Sequence, residues 1–400
     1  MKERNKFSMN SLLTALARKS AYKKGTNPQN AMIIPPASPG SLGDAAMISV
    51  ACGQLKERHP HVALVYGGEW PLDTQADHHF SGERYFYKGS GLHKARLIYK
   101  LFEFEHVCFI GADVIDGAYN PKSVCRRLSI ISEAARLGKS ARILGSSYNK
   151  VPELTTREKL RSLPQEVVVC ARDPVSKKRM EEELNRPIRL TADLAFLLDG
   201  RPEEPDVEAA KCWISERRKR GDQIIAVNAN YLHLRKNPRF TIALTELMQR
   251  FLLAGFSIVL IPHDIRSARP DAQILKDCAE ALSSDLRSNV YMMPPRSPGA
   301  IKSVLSYVDL LVSGRMHAAI LAMSNGTPAF SFGYQDKFEG LYGMFELPTQ
   351  EFLSVPENLI ASPERIFEQI IESVNQAGEF KSVILKKLPS VIDLAKENFQ

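Results

Sequence analysis

From residue 30 onward, short apolar runs rich in Val, Ile and Phe alternate with longer stretches of helical spacing. That alternation predicts parallel sheets with helices on both faces. In the first half the spacing predicts strands at 31–34, 62–66, 107–110, 142–144, 167–170 and 188–190. Helices are predicted at 44–58, 92–104, 122–137 and 174–184. The series restarts with strands at 224–227, 258–261, 290–293, 310–312 and 329–332. Asp199-Gly200-Arg201-Pro202-Glu203-Glu204-Pro205 is dense in Pro, Gly and charge and marks a connection between domains. The expected fold is therefore α/β, with two Rossmann-like domains facing each other across a cleft. The domains are placed at 28–200 and 206–376, after a basic N-terminal arm at 1–27 and before a C-terminal helix at 377–400. In that last segment Val383, Leu385, Leu388, Ile392 and Leu394 follow helical spacing.

Length agrees with two domains, because 400 residues exceed what one ordinary core organises. A composition of 44% hydrophobic and 24% charged residues is that of a globular chain. The net charge of +8 is uneven: Lys2, Arg4, Lys6, Arg18, Lys19, Lys23 and Lys24 stand against Glu3 alone. No zinc-finger spacing or RNP-like aromatic run accompanies the charge, so nucleic acid is not an expected partner. Phe7, Met9, Leu12, Leu13 and Leu16 give the arm an apolar helical face. That face suits packing on this chain's own surface or on another subunit, as in a homo-oligomer, or peripheral contact with an anionic membrane leaflet. The six cysteines are scattered without a Cys-x-x-Cys pair, which suits buried thiols in a reducing cytoplasm. No secretory signal is visible, and the longest apolar stretch is too short to span a bilayer. A cytoplasmic protein, at most peripheral at the inner face of the cell membrane, is expected.

The chemistry concentrates where strands end. Val308–Val312 runs into Ser313-Gly314-Arg315-Met316-His317 and then an apolar helix, so Arg315 and His317 stand at a strand end and a helix start. Backbone N–H groups and the helix dipole favour an anion there. A guanidinium and an imidazole suit a phosphate or a carboxylate, and an Arg tied to a local carboxylate is the structural alternative. Pro39-Gly40-Ser41-Leu42-Gly43-Asp44 offers a tight turn and a capping or first-turn acid, without a full G-x-G-x-x-G or P-loop pattern. Asp113 and Asp116 pair two acids beside glycines, fit for hydroxyl binding, general-base work, a metal ion or turn formation. Arg172 precedes Asp173-Pro174 at a helix start and is expected to point into the cleft. His263 ends a strand and either moves protons or bonds a neighbouring loop. Asn228 and Asn230 either bind ligand or shape a turn, and Lys337 lies in the polar loop after 329–332.

The ordered set Gly-Ser-Leu-Gly-Asp (40–44), Gly-Ala-Asp-Val-Ile-Asp-Gly (111–117), Ala-Arg-Asp-Pro-Val-Ser (171–176), Pro-His-Asp (262–264), Ser-Gly-Arg-Met-His-Ala (313–318), Gly-Thr-Pro-Ala (326–329) and Tyr-Gln-Asp-Lys (334–337) resembles the polysaccharide pyruvyl transferase family. The resemblance covers roughly residues 30–345. Ser41 stands where Asn is frequent in the family, and Gly314 where Met is common. The resemblance implies a GT-B-like fold, with the acceptor on the N-terminal side and the donor on the C-terminal side. It implies transfer of the pyruvyl unit of phosphoenolpyruvate to a sugar, or a lipid-linked oligosaccharide, as a ketal with release of phosphate. Arg172, Arg315, Met316, His317, Ser41, Asp113, Asp116, Asn230 and Lys337 are then candidate substrate contacts. His317, Arg315, Asp44 and His263 are candidate catalytic groups, and no cofactor or metal is needed. A nucleotide-sugar glycosyltransferase of the same architecture, or a non-catalytic carbohydrate- or phosphate-binding subunit, is the alternative.

Overall fold

The computed structural model describes residues 30–66, 76–266, 271–333 and 337–400. The basic arm at 1–27 and residues 334–336 of the Tyr-Gln-Asp-Lys motif lie outside the described residues. The chain forms two compact units.

The first unit holds a parallel sheet of seven strands: β1 (Ala31–Ile34), β2 (Val62–Leu64), β3 (His78–His79), β4 (His106–Ile110), β5 (Ser140–Ser146), β6 (Val168–Ala171) and β7 (Arg189–Leu190). Their order is β3-β2-β1-β4-β5-β6-β7, so the chain reverses direction across the sheet between β1 and β4. The second unit repeats the plan with β8 (Gln223–Asn228), β9 (Phe256–Leu260), β10 (Val290–Met292), β11 (Leu310–Ser313), β12 (Ala329–Phe332) and β13 (Leu353–Ser354). Here the order is β10-β9-β8-β11-β12-β13, all parallel, with the reversal between β8 and β11. Strands such as Met32, Ile34, Val107 and Phe109 in one unit, and Ile225, Val227, Ile258 and Leu260 in the other, are buried. That burial on both faces explains why they read as continuous apolar runs rather than alternating ones. The short edge strands β3 and β13 carry no apolar run long enough to predict them.

The units are not contiguous in sequence. Pro39–Ala46 groups with Ala195–Asp393, whereas Met47–Leu194 and Leu394–Gln400 belong to the first unit. The helix Leu42–Lys56 thus begins in one unit and continues in the other. The division at Leu194 precedes the Pro-rich segment at 199–205, which is docked rather than free. Arg201 N–H donates to Gly299 O at 3.1 Å and to Ser303 Oγ at 2.8 Å. At the other end, the Asn398 side chain is fully buried in the first unit. It accepts from Gly145 N at 2.8 Å and donates to Ala192 O at 2.9 Å. Four cysteines (Cys52, Cys108, Cys170 and Cys278) are buried, and burial pushes the first three thiols up to about 12.

Candidate active site

Ligands of open parallel sheets sit beyond the strand C-termini, where the strand order reverses. In the second unit that place is bounded by the ends of β8, β9 and β11, and the residues there are knitted together. Ser313 Oγ donates to Asn228 Oδ1 at 2.9 Å, and Asn228 Nδ2 donates to Ile261 O at 2.8 Å. Ser313 Oγ also accepts from Arg315 N–H at 2.9 Å, so the turn after β11 is pinned before the next helix begins. Asn230 is fully buried and both ends of its amide are used. Its Oδ1 caps Leu232 N–H at 2.9 Å and its Nδ2 donates to Gly314 O at 2.7 Å. Of the two roles open to Asn230, the turn-shaping one is what this geometry shows. Gly314 permits the close approach: a Cβ there would lie 2.5 Å from His233 Cε1.

Arg315 is the N-cap of the helix Met316–Met323, in an extended conformation. Its Nε donates to Asp271 Oδ2 at 3.0 Å, its Nη2 to Asp271 Oδ1 at 2.6 Å, and its Nη1 lies 3.3 Å from Asp264 Oδ2. The local-carboxylate alternative is therefore realised, by two acids. Asp264 also takes the Arg266 guanidinium, with Nε at 2.9 Å from Oδ1 and Nη2 on Oδ2. The result is a chain of alternating charges, Arg266–Asp264–Arg315–Asp271. Asp264 belongs to the Pro-His-Asp motif, but Asp271 and Arg266 were not sequence candidates. Asp271 is an acid at a helix start, a position where capping is the ordinary explanation.

The segment after β1 completes this unit. Ser41 pairs in antiparallel fashion with Asp264. Leu42 N–H donates to His263 O at 3.1 Å, and Ile265 N–H donates to Gly40 O at 2.8 Å. Ser41 Oγ accepts from Asp44 N–H at 3.3 Å, so Ser41 caps the helix and Asp44 is its buried first-turn acid. Gly43 lies against His317: a Cβ there would come within 2.3 Å of the imidazole Cγ and Nδ1. His317 and Met316 are half-buried. His263 is buried, and neither ring nitrogen has a hydrogen-bond partner among the described residues. Burial, then the neighbouring His317 and Arg315, hold its imidazole well below the usual value. Burial, then Arg315 and Lys236, lower His233 to about 3. Lys337 is buried in the first turn of the helix Lys337–Met344.

The corresponding edge of the first unit is organised differently. Arg172 is 2% exposed, and its Nη1 donates to Asp193 Oδ2 at 2.6 Å. Arg172 is therefore a buried, paired arginine: burial would cost a lone cation several kcal/mol, and Asp193 compensates it. Asp173 caps the helix Pro174–Leu184 by accepting from Ser176 N–H at 2.7 Å. Asp116 is fully buried and accepts from Ala118 N–H at 3.0 Å and Asn149 N–H at 3.3 Å, so it shapes the loop. Asp113 is half-buried and accepts from Tyr119 Oη at 2.9 Å. Among the described residues, no group of three His, Cys, Asp or Glu side chains is arranged to hold a metal ion. No helix among them is long and apolar enough to cross a membrane.

Two parallel sheets with the same reversal of strand order place the chain in the GT-B class of folds, and solved structures agree. A UDP-GlcNAc 2-epimerase from Neisseria meningitidis, solved with UDP-GlcNAc, aligns over 92% of this chain and 97% of its own, with TM-score 0.56 and 13% identity. A glycosyltransferase from Rickettsia africae aligns over 94% and 100%, with TM-score 0.54 and 15% identity. At such identity the likeness is one of fold. The model of the polysaccharide pyruvyl transferase family matches residues 42–336, and the chain belongs to that family. No curated protein matches it in sequence. Membership makes the chain a transferase acting on polysaccharide.

Proposed function

We propose that this protein transfers the pyruvyl unit of phosphoenolpyruvate onto a sugar of a surface polysaccharide or its precursor, forming a ketal and releasing phosphate. The observation that carries this reading is the set His263, Arg315 and His317 at the strand-order reversal of the second unit, within the family match. The donor brings a carboxylate and a phosphate, and Arg315 with the N-terminus of Met316–Met323 offers a cation and backbone dipoles for one of them. A proton must reach the enol methylene, giving a cationic centre at C2 that a sugar hydroxyl attacks. Phosphate departs and the second hydroxyl closes the ring. Of the two hydroxyl protons, one ends on the new methyl group and one on phosphate.

His317 and His263 are the groups suited to deliver the first proton. The lowered affinity of His263 for a proton comes from burial, then from the neighbouring His317 and Arg315, and a bound dianion would counter the Arg315 contribution. Asp44, in the first turn of its helix, is the group suited to accept a proton from the sugar. The first unit is assigned to the acceptor and the second to the donor.

The test is titration calorimetry with phosphoenolpyruvate and with nucleotide sugars, followed by mass spectrometry of candidate acceptors incubated with phosphoenolpyruvate. Saturable phosphoenolpyruvate binding and a pyruvylated acceptor are expected. Binding of a nucleotide sugar alone would assign the protein to glycosyl transfer instead.

A further inference from the structure

We propose that Asp271 is the positioning residue of this site: it fixes the plane of the Arg315 guanidinium so that its Nη1 side faces the anion. The inference rests on the reading of Arg315 as a donor-binding group. The two acids on Arg315 are not equivalent. Asp271 grips it through two parallel contacts of 3.0 and 2.6 Å, whereas the Asp264 contact is longer, at 3.3 Å. Asp264 in turn belongs chiefly to Arg266, accepting from its Nε, its Nη2 and its backbone N–H at 3.1 Å. An incoming carboxylate or phosphate therefore competes with the long Asp264 contact and leaves the Asp271 fork in place.

Asp271 is itself anchored. It is fully buried in the first turn of the helix Asp271–Glu280, with the backbone of Tyr231 beside it. Tyr231 follows Asn230, whose amide holds Gly314 O beside Arg315. One buried carboxylate thus ties the start of the helix Asp271–Glu280 to the guanidinium after β11. A long, flexible side chain is turned into a rigid donor, which is worth most where an anion must be met in one orientation.

The experiment compares Asp271→Asn, Asp271→Glu and Arg315→Ala by calorimetry and steady-state kinetics with phosphoenolpyruvate, alongside thermal unfolding. Asp271→Asn keeps the shape and one acceptor oxygen but loses the charge and the fork. It is expected to lower kcat/KM by between about 10- and 100-fold, chiefly through KM, in enzyme that unfolds cooperatively. Asp271→Glu restores the charge at the wrong length and should recover part of the loss in KM. A merely structural acid would change the melting temperature and leave KM alone. If Asp271→Asn does not fold, Asp271→Glu decides, and an unchanged KM overturns the proposal. Loss of donor affinity in Arg315→Ala with normal affinity in a folded Asp271 variant overturns the positioning role only. Normal affinity in Arg315→Ala overturns the donor reading, and the positioning role with it.

Discussion

Arg172 and Arg315 begin alike: each follows a buried parallel strand and precedes a helix. In the first unit the side chain is 1% exposed and paired with Asp193. In the second the side chain is 14% exposed, held by Asp271 and shared with Asp264, with His317 two residues on and His263 nearby. A strand-end arginine is thus a structural brace where the fold closes over it. Where the side chain stays partly exposed, as at Arg315, it is the group proposed here to bind the donor. The same local signal has two outcomes, and the depth of burial separates them.

The sharpest way to break that contrast is to remove both arginines in turn. Arg172→Ala leaves Asp193 buried without its cation, and unfolding free energy should fall by about 3–5 kcal/mol. Chemical denaturation reads this directly, and a loss below 1 kcal/mol would remove the brace interpretation. Arg315→Ala should instead fold with a smaller penalty and lose about 2–4 kcal/mol of donor binding or transition-state stabilisation. Phosphate release from phosphoenolpyruvate in the presence of acceptor measures it, and wild-type turnover would contradict the assignment.

A finer probe is Gly43→Ala. Its Cβ would stand 2.3 Å from the His317 ring, so the imidazole must move, at about 1–3 kcal/mol of strain. Turnover should fall with the helix Leu42–Lys56 intact by circular dichroism; full activity would show that His317 placement is not critical.

The smallest effect is on pH dependence. His233 titrates at about 3 in the folded chain against 6.5 for an ordinary imidazole. The unfolded chain therefore binds the extra proton first, and folding stability is retained above 6.5 and lost as pH falls below it. The loss from this one group between pH 7 and pH 5 is about 2 kcal/mol. Denaturation of wild type and His233→Phe at both pH values should show a shallower slope in the variant. Equal slopes would mean that His233 is not held neutral by its surroundings.

Much of this protein is dictated locally. The apolar runs of β1, β4, β8, β9, β11 and β12 are buried on both faces, which their short Val- and Ile-rich sequences signal, and Asp173-Pro174 caps its helix as its chemistry requires. The Arg315-Met316-His317 element was legible because a strand end and a helix start are both encoded within a few residues. What a carboxylate does to an arginine is not encoded that way. Asp193 lies 21 residues from Arg172 and Asp271 lies 44 from Arg315, and neither position carries a periodic or turn signal that names its partner. The grouping of Pro39–Ala46 with the second unit is also beyond local pattern, because it depends on Gly40, Ser41 and Leu42 bonding to residues 263–265. Period and capping are short-range properties of the backbone, which the sequence determines. Which buried charge meets which counter-charge is decided by the packing that takes them both out of water, and only the tertiary structure decides that.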